Sequence, residues 1–252
     1  TLIAAYGMGL QGWDASYHFL NGRERIGDGW PNLSSYVTDT PHYIGQFPAI
    51  AFALYNGHIK EGDVAAARRI TVDDLFKGVD PLMQDFTGGG HDDKTLQGAL
   101  ATPEEMLAIG KVTCAFEGGA PEQIATTSFW NKTAKTVTST TGELVWDYGR
   151  QLVTLRTPRT QAIIGRSGGK AVILPAVGAK IKTPFVSMIF TPLDNKELAQ
   201  SSHILITALA QDTQMNAKYN EDGSMLITVG APPLLLEPVQ ALVKFRGPAP
   251  KE

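Results

Sequence analysis

One cysteine, Cys114, is all the thiol chemistry in this 252-residue chain. That excludes an internal disulfide and a cysteine-based zinc site, and it leaves the redox compartment open. No apolar run reaches the ~20 residues that a membrane-spanning helix needs. The longest, over 47–55, is interrupted by Pro48. Charge is scarce in both signs: 22 Lys plus Arg stand against 25 Asp plus Glu, for a net charge of −3. Such a balance gives no electrostatic footprint for nucleic acid or an anionic membrane, so neither is expected as a partner.

Several catalytic signatures are also missing. There is no Gly-x-Ser-x-Gly elbow, so esterase chemistry has no support. Ser167-Gly168-Gly169-Lys170 lacks the spacing of a phosphate loop and falls between two expected strands, so it reads as a hairpin turn. His91-Asp92-Asp93, after Gly88 to Gly90, offers hard oxygen ligands. It lacks the alternating ligands and distal Glu of a calcium loop and reads as a solvated turn. No nucleophile, metal or cofactor constellation is complete, and none is expected to be bound. There is no internal repeat and no low-complexity segment.

What is present is turn chemistry and apolar residues. Hydrophobic residues make up 43%, enough for a full core, and 26 Gly with 15 Pro suit a loop-rich chain with much β structure. The opening, 1–10, reads as the interior of an element, a helix rich in small residues over 2–10. The chain is therefore expected to be a piece of something longer. Gly12 breaks that helix, and residues 13–19 alternate with period two, which predicts a strand. Trp13, Ala15, Tyr17 and Phe19 would share one face; Asp14, Ser16 and His18 the other. A polar loop covers 21–40. Residues 41–56 place Ile44, Phe47, Ile50, Ala51, Leu54 and Tyr55 near 3.6-residue spacing, which predicts a helix stopped at Asn56-Gly57.

A strand is expected over 67–72. Thr102-Pro103-Glu104-Glu105 reads as a capping box and predicts a helix at about 103–116, with Cys114 a buried apolar residue on it. Strands follow over 136–139, 143–146, 152–157, 160–165, 171–174, 185–190, 203–210, 225–229 and 239–245, separated by turn residues. That pattern predicts an antiparallel β-sandwich. Glu143 and Asp147 are not expected to converge as a carboxylate pair.

Together, Gln11-Gly12-Trp13-Asp14, Trp146-Asp147, the stretch 155–165, Ile204 to Ala210 and Gly230 to Val239 resemble the end of clan A glycoside hydrolases. These are (β/α)8-barrel enzymes of β-galactosidase-like and cellulase-like type. The resemblance implies a mixed α and β fold: residues 1–66 closing a (β/α)8 barrel, 67–247 forming a β-sandwich with a helical insertion near 103–116, and 248–252 a tail. It implies a secreted or periplasmic enzyme that cleaves a β-linked poly- or oligosaccharide with two glutamates, which a retaining mechanism would hold ~5–5.5 Å apart, the retaining or inverting outcome staying open. Both glutamates would lie upstream of Thr1, on barrel strands contributed by another segment or chain, so this chain alone is expected to be inactive.

On that reading the strand at 13–19 ends at the substrate. Sugar rings stack their C–H faces on aromatics, and their hydroxyls need fixed polar partners. Trp13, Asp14, Tyr17, His18 and Trp30 are the candidate substrate-binding residues. The rival is a non-catalytic carbohydrate-binding or surface-assembly β-sandwich. A row of exposed aromatics would favour it, and Trp130, Trp146, Tyr148 and Tyr219 show no such row in sequence.

Overall fold

The structure, a computed structural model, describes residues 1–17, 40–77, 86–87, 95–96, 105–120, 122–223 and 225–247. The expected tail at 248–252 lies outside them. Strands predominate over helices, and most sheets are antiparallel. The chain forms two compact units, each built from separated stretches: residues 2–14 with 59–149, and residue 1 with 15–58 and 150–252.

In the first unit a π-helix runs over Ile3–Leu10. Strand β1 (Val64–Arg69) is the centre of a small sheet. A short helix, Val72–Phe76, follows it, and β2 (Phe86–Thr87) pairs with β3 (Thr95–Leu96). The helix expected at 103–116 ends far sooner. It spans Met106–Ile109, and β4 (Lys111–Ala115) leaves it to run parallel to β1. Gly110 explains the switch: a Cβ there would lie 2.4 Å from the Asp63 carbonyl oxygen, which accepts the Lys111 N–H at 2.8 Å. That close approach turns the chain out of the helix, and β-branched Val112 and Thr113 suit the strand. Cys114 is consequently exposed on a strand, not buried on a helix. β5 (Glu122–Gln123) pairs with the other edge of β1. β6 (Trp130–Asn131), β7 (Thr136–Thr138) and β8 (Leu144–Asp147) form an antiparallel run. Ala65, Ala66, Met106, Ile109 and Val137 make the core here. The strand expected at 67–72 thus begins three residues earlier, at Val64, on small alanines that let the helix approach.

In the second unit β9 (Leu152–Arg156), β10 (Gln161–Gly165), β13 (Val186–Pro192) and β14 (Ile204–Leu209) form antiparallel neighbours in the order β14-β13-β10-β9. A second sheet contains β11 (Ala171–Ile173), β12 (Val177–Ile181) and β19 (Ala241–Phe245). Two ribbons complete the unit: β15 (Asp212–Met215) with β18 (Ala231–Leu236), and β16 (Lys218–Tyr219) with β17 (Leu226–Thr228). The two sheets share one core, with Ile163, Met188 and Phe190 from one meeting Val177, Ala179 and Ile181 from the other. Phe190 and Phe245 close it edge to face at 5.9 Å.

Every residue of β10 and β13 is buried, so both faces of that sheet are covered. The second cover is the helix Phe47–Tyr55, which lies against β13 and β14. The helix expected over 41–56 is two, Pro41–Ile44 and Phe47–Tyr55, because Pro48 has no N–H to give the Ile44 carbonyl. Its buried residues are Ala49 and Ala53, while Ile44, Phe47 and Tyr55 stay exposed, so the face differs from the expected one. Small side chains let the helix axis approach the sheet. The expected stop at Asn56-Gly57 is present: Gly57 (φ +61°) donates to Leu54 O and His58 to Ala53 O, the Schellman pattern.

His58 is buried behind that stop, its Nδ1 2.9 Å from Thr160 Oγ1, which lies 3.4 Å from Thr191 Oγ1. Burial, and secondarily the Arg159 charge, hold its pKa below the ordinary 6.5. The unfolded chain therefore binds a proton that the folded chain refuses. The unfolding free energy should fall as pH drops through 6.5 towards the lower folded value, and level off below it. His58→Asn should flatten that part of the profile. Urea unfolding midpoints between pH 5 and 8 check this, and an identical slope in both proteins would refute it.

Candidate functional site

Residues 11–14 leave the π-helix and are fixed by the side chain of Gln11. Its Nε2 donates to the Leu107 carbonyl at 2.8 Å and the Gly110 carbonyl at 2.6 Å. Its Oε1 accepts from the Val112 N–H at 2.9 Å. One amide thus satisfies two carbonyls at the end of a short helix and the first free donor of β4, using both its donor and acceptor ends. The backbone adds Gln11 N–H to Tyr6 O at 2.8 Å and Trp13 N–H to Gly7 O at 3.0 Å.

Two glycines shape the surface that results. At Gly7 a Cβ would lie 2.5 Å from Trp13 Cε3 and 2.6 Å from Cζ3, so the indole rests directly on helix backbone. Trp13 is nevertheless 52% exposed. Gly12 (φ +70°) faces Glu61, whose carboxyl carbon would be 2.8 Å from a Cβ at that position. Only glycine meets both the dihedral and the space there. The Glu61 carboxylate pairs with Lys111 Nζ at 3.0 Å. The site is therefore an aromatic plate on a rigid seat, with an acceptor and a cation anchored beside the adjoining residue. Behind the seat the Tyr6 hydroxyl is buried with no hydrogen-bond partner among the described residues, and burial pushes its pKa upward.

The sequence-predicted residues fare differently. Trp13 and Asp14 are exposed in the first unit, and Tyr17 is 93% exposed in the second. His18 and Trp30 lie outside the described residues, as do His91, Asp92 and Asp93. Residues 13–17 form no strand, contrary to their alternation. The hydrogen bonds to the preceding helix hold Trp13 against Gly7, and an extended pairing edge is not formed. Sequence reasoning missed Gln11, Glu61 and Lys111 as site residues; Gly7 and Gly12 shortly before Trp13 were the available signal.

Trp130, Trp146 and Tyr148 are engaged with one another. Trp130 and Trp146 both lie opposite Val137, and Trp130 Nε1 donates to the Tyr148 hydroxyl at 3.1 Å. Lys132 Nζ sits 4.4 Å from the Trp130 ring centroid, so a cation already covers that ring. Glu143 is buried and accepts from the Lys60 N–H at 3.0 Å, a structural role. Ser167 to Lys170 is a turn, with Gly168 and Gly169 at φ +61° and +72°, but it links β10 to β11 of a different sheet and does not form a hairpin. Among the described residues no group of His, Cys, Asp and Glu could hold a metal, and no helix is long and apolar enough to cross a membrane.

No family model matches this chain, and neither a curated protein nor a solved structure matches it.

The seat has a direct test. In a helix, Gly7→Ala gains roughly 1 kcal/mol of propensity. Here the added methyl would meet the indole at 2.5 Å, so the ring must move. We expect near-UV circular dichroism and Trp13 emission to change, the latter isolated by subtracting the Trp13→Phe spectrum, with far-UV dichroism retained. Unchanged Trp13 signals would show that the indole does not rest on Gly7.

Proposed function

We propose that this chain holds sugar for a glycoside hydrolase acting on β-linked poly- or oligosaccharide, with Trp13 as the stacking plate. The single observation behind the reading is the half-exposed Trp13 indole seated on Gly7 with the Glu61–Lys111 pair beside Gly12. A pyranose lays its C–H face on such a ring, and sugar hydroxyls need fixed polar partners of the kind that the Glu61–Lys111 pair beside Gly12 offers. Seating matters because a fixed ring loses no rotamer freedom on binding.

The proposed role is to hold the sugar rather than to cut it. Glu61 pairs with Lys111, Glu143 accepts from the Lys60 N–H, and Glu117 and Glu122 pair with Arg69, which gives each of these four a partner in the fold. The two catalytic glutamates belong, in this proposal, to barrel strands outside these 252 residues. The (β/α)8 assignment of the first elements and the β-sandwich assignment of the two sheets with a common core are part of the same proposal, as is action outside the cytoplasm.

Titration of the protein with neutral β-linked gluco-, galacto- and xylo-oligosaccharides, followed by calorimetry, tests the reading. Binding of at least one series is expected, and Trp13→Ala should weaken it about tenfold or more, the ~1.4 kcal/mol scale of an aromatic contact. Equal affinity in wild type and Trp13→Ala, or no binding by any series, would overturn it. Binding that persists with no hydrolysis when the complete enzyme is assayed would favour the non-catalytic module.

A further inference from the structure

From Tyr148 to Leu193 the chain contains no Asp or Glu, yet it carries Arg150, Arg156, Arg159, Arg166, Lys170, Lys180 and Lys182. In a protein of net charge −3 that is a marked local excess. Strands β11 and β12 lie inside this stretch. The partner of β12 on its other side, β19, comes from residues 238–247, which also lack acids and add Lys244 and Arg246.

The register lays these residues out on the open face of the sheet. One row reads Ala171, Lys180, Leu242 across the three strands; the next reads Ile173, Gly178, Lys244. The opposite face supplies Val172, Ala179, Val177 and Ile181 to the core. On the open face Ile173 and Leu242 are more than half exposed, and the missing side chain at Gly178 leaves a dip beside Ile173. A shallow cavity of about 470 Å³ opens there, with Lys180, Lys244 and Arg246 among its walls. None of the three forms an ion pair among the described residues.

We infer that the open face of the β11-β12-β19 sheet binds an acidic polysaccharide, a linear sugar chain bearing carboxylate or sulfate groups. Lys180 and Lys244 are diagonal cross-strand neighbours, about 7–8 Å apart. Arg246 follows Lys244 two residues along the strand, about 7 Å further. Cations spaced in this way along two strands match charges carried on successive units of a polymer. The exposed Ile173 and Leu242 side chains give the C–H faces of the sugar units an apolar floor. Phe245, the aromatic residue lining this cavity, packs against Phe190 in the core, so the face offers no exposed ring on which a single-stranded nucleic acid could stack its bases. The site stands on its own charge pattern; only the choice of a sugar polymer over other linear polyanions rests on the function proposed above.

The test uses the intact chain with a fluorescent oligogalacturonate and a sulfated oligosaccharide, against neutral oligosaccharide, anionic vesicles and single-stranded DNA. Binding of the acidic sugars is expected, weakening steeply with salt as counterions are displaced. The exposed double substitution Lys180→Glu with Lys244→Glu should cut affinity at least a hundredfold, and Lys180→Gln with Lys244→Gln at least tenfold, with unchanged far-UV dichroism. Trp13→Ala should leave this binding intact. No binding of acidic sugars, indifference to both double variants, or tighter binding to vesicles or DNA would overturn the inference. Loss through Trp13→Ala alone would overturn it while leaving the proposed sugar plate standing, and neutral-sugar binding that fails while the lysine-dependent binding holds would do the reverse.

Discussion

Close approach through missing side chains is the constraint on which this structure turns. Gly7 admits the Trp13 ring, Gly9 admits Ile59, and Gly110 admits the Asp63 carbonyl. Ala65 and Ala66 let a short helix reach β1, and Ala49 and Ala53 let another reach β13. Each gap is filled by a neighbour at van der Waals contact, so each small residue specifies a partner as firmly as a large one would. Close-packed interiors tolerate little change in volume, and an added methyl at Gly110 would meet the Asp63 backbone oxygen at 2.4 Å, where no side chain can give way.

Gln11 shows how the same economy extends to polar groups. Its side chain lies across the junction where a four-residue helix ends and a parallel strand begins, and it satisfies backbone groups that neither element pairs. A partly buried junction without it would leave two carbonyls and an N–H without a protein partner. The chain that supplies Gln11 also supplies Trp13, so the fold of the first unit and the exposure of its aromatic plate are set by one segment.

Much of the β architecture was legible because its signals are local. Nine expected strands appear within a few residues of their places, bounded by the turns that Gly142, Gly168 and Gly223 permit through positive φ. Two of the strands that escaped notice had the opposite character. Ala231–Leu236 carries Pro232 and Pro233, and Lys111–Ala115 follows a capping box that argues for continued helix. There a non-local contact, the Asp63 carbonyl against Gly110, overrode propensity. The face of the helix Phe47–Tyr55 was misjudged for a related reason: periodicity favours large apolar residues, whereas the sheet selected its alanines. At the site, Trp13 and Asp14 stood out by residue type, but the seat and the Glu61–Lys111 pair join positions far apart in the chain and left no mark on either sequence segment.

Cys114 gains a use from the strand that displaced its expected helix. It is exposed on β4, three residues beyond Lys111, and no second thiol competes with it. A spin label or dye attached there would occupy a single defined place, on the strand that carries the lysine partner of Glu61. Three residues along a strand place Cys114 on the face opposite Lys111, so a label there would report on the strand without standing on the pair itself.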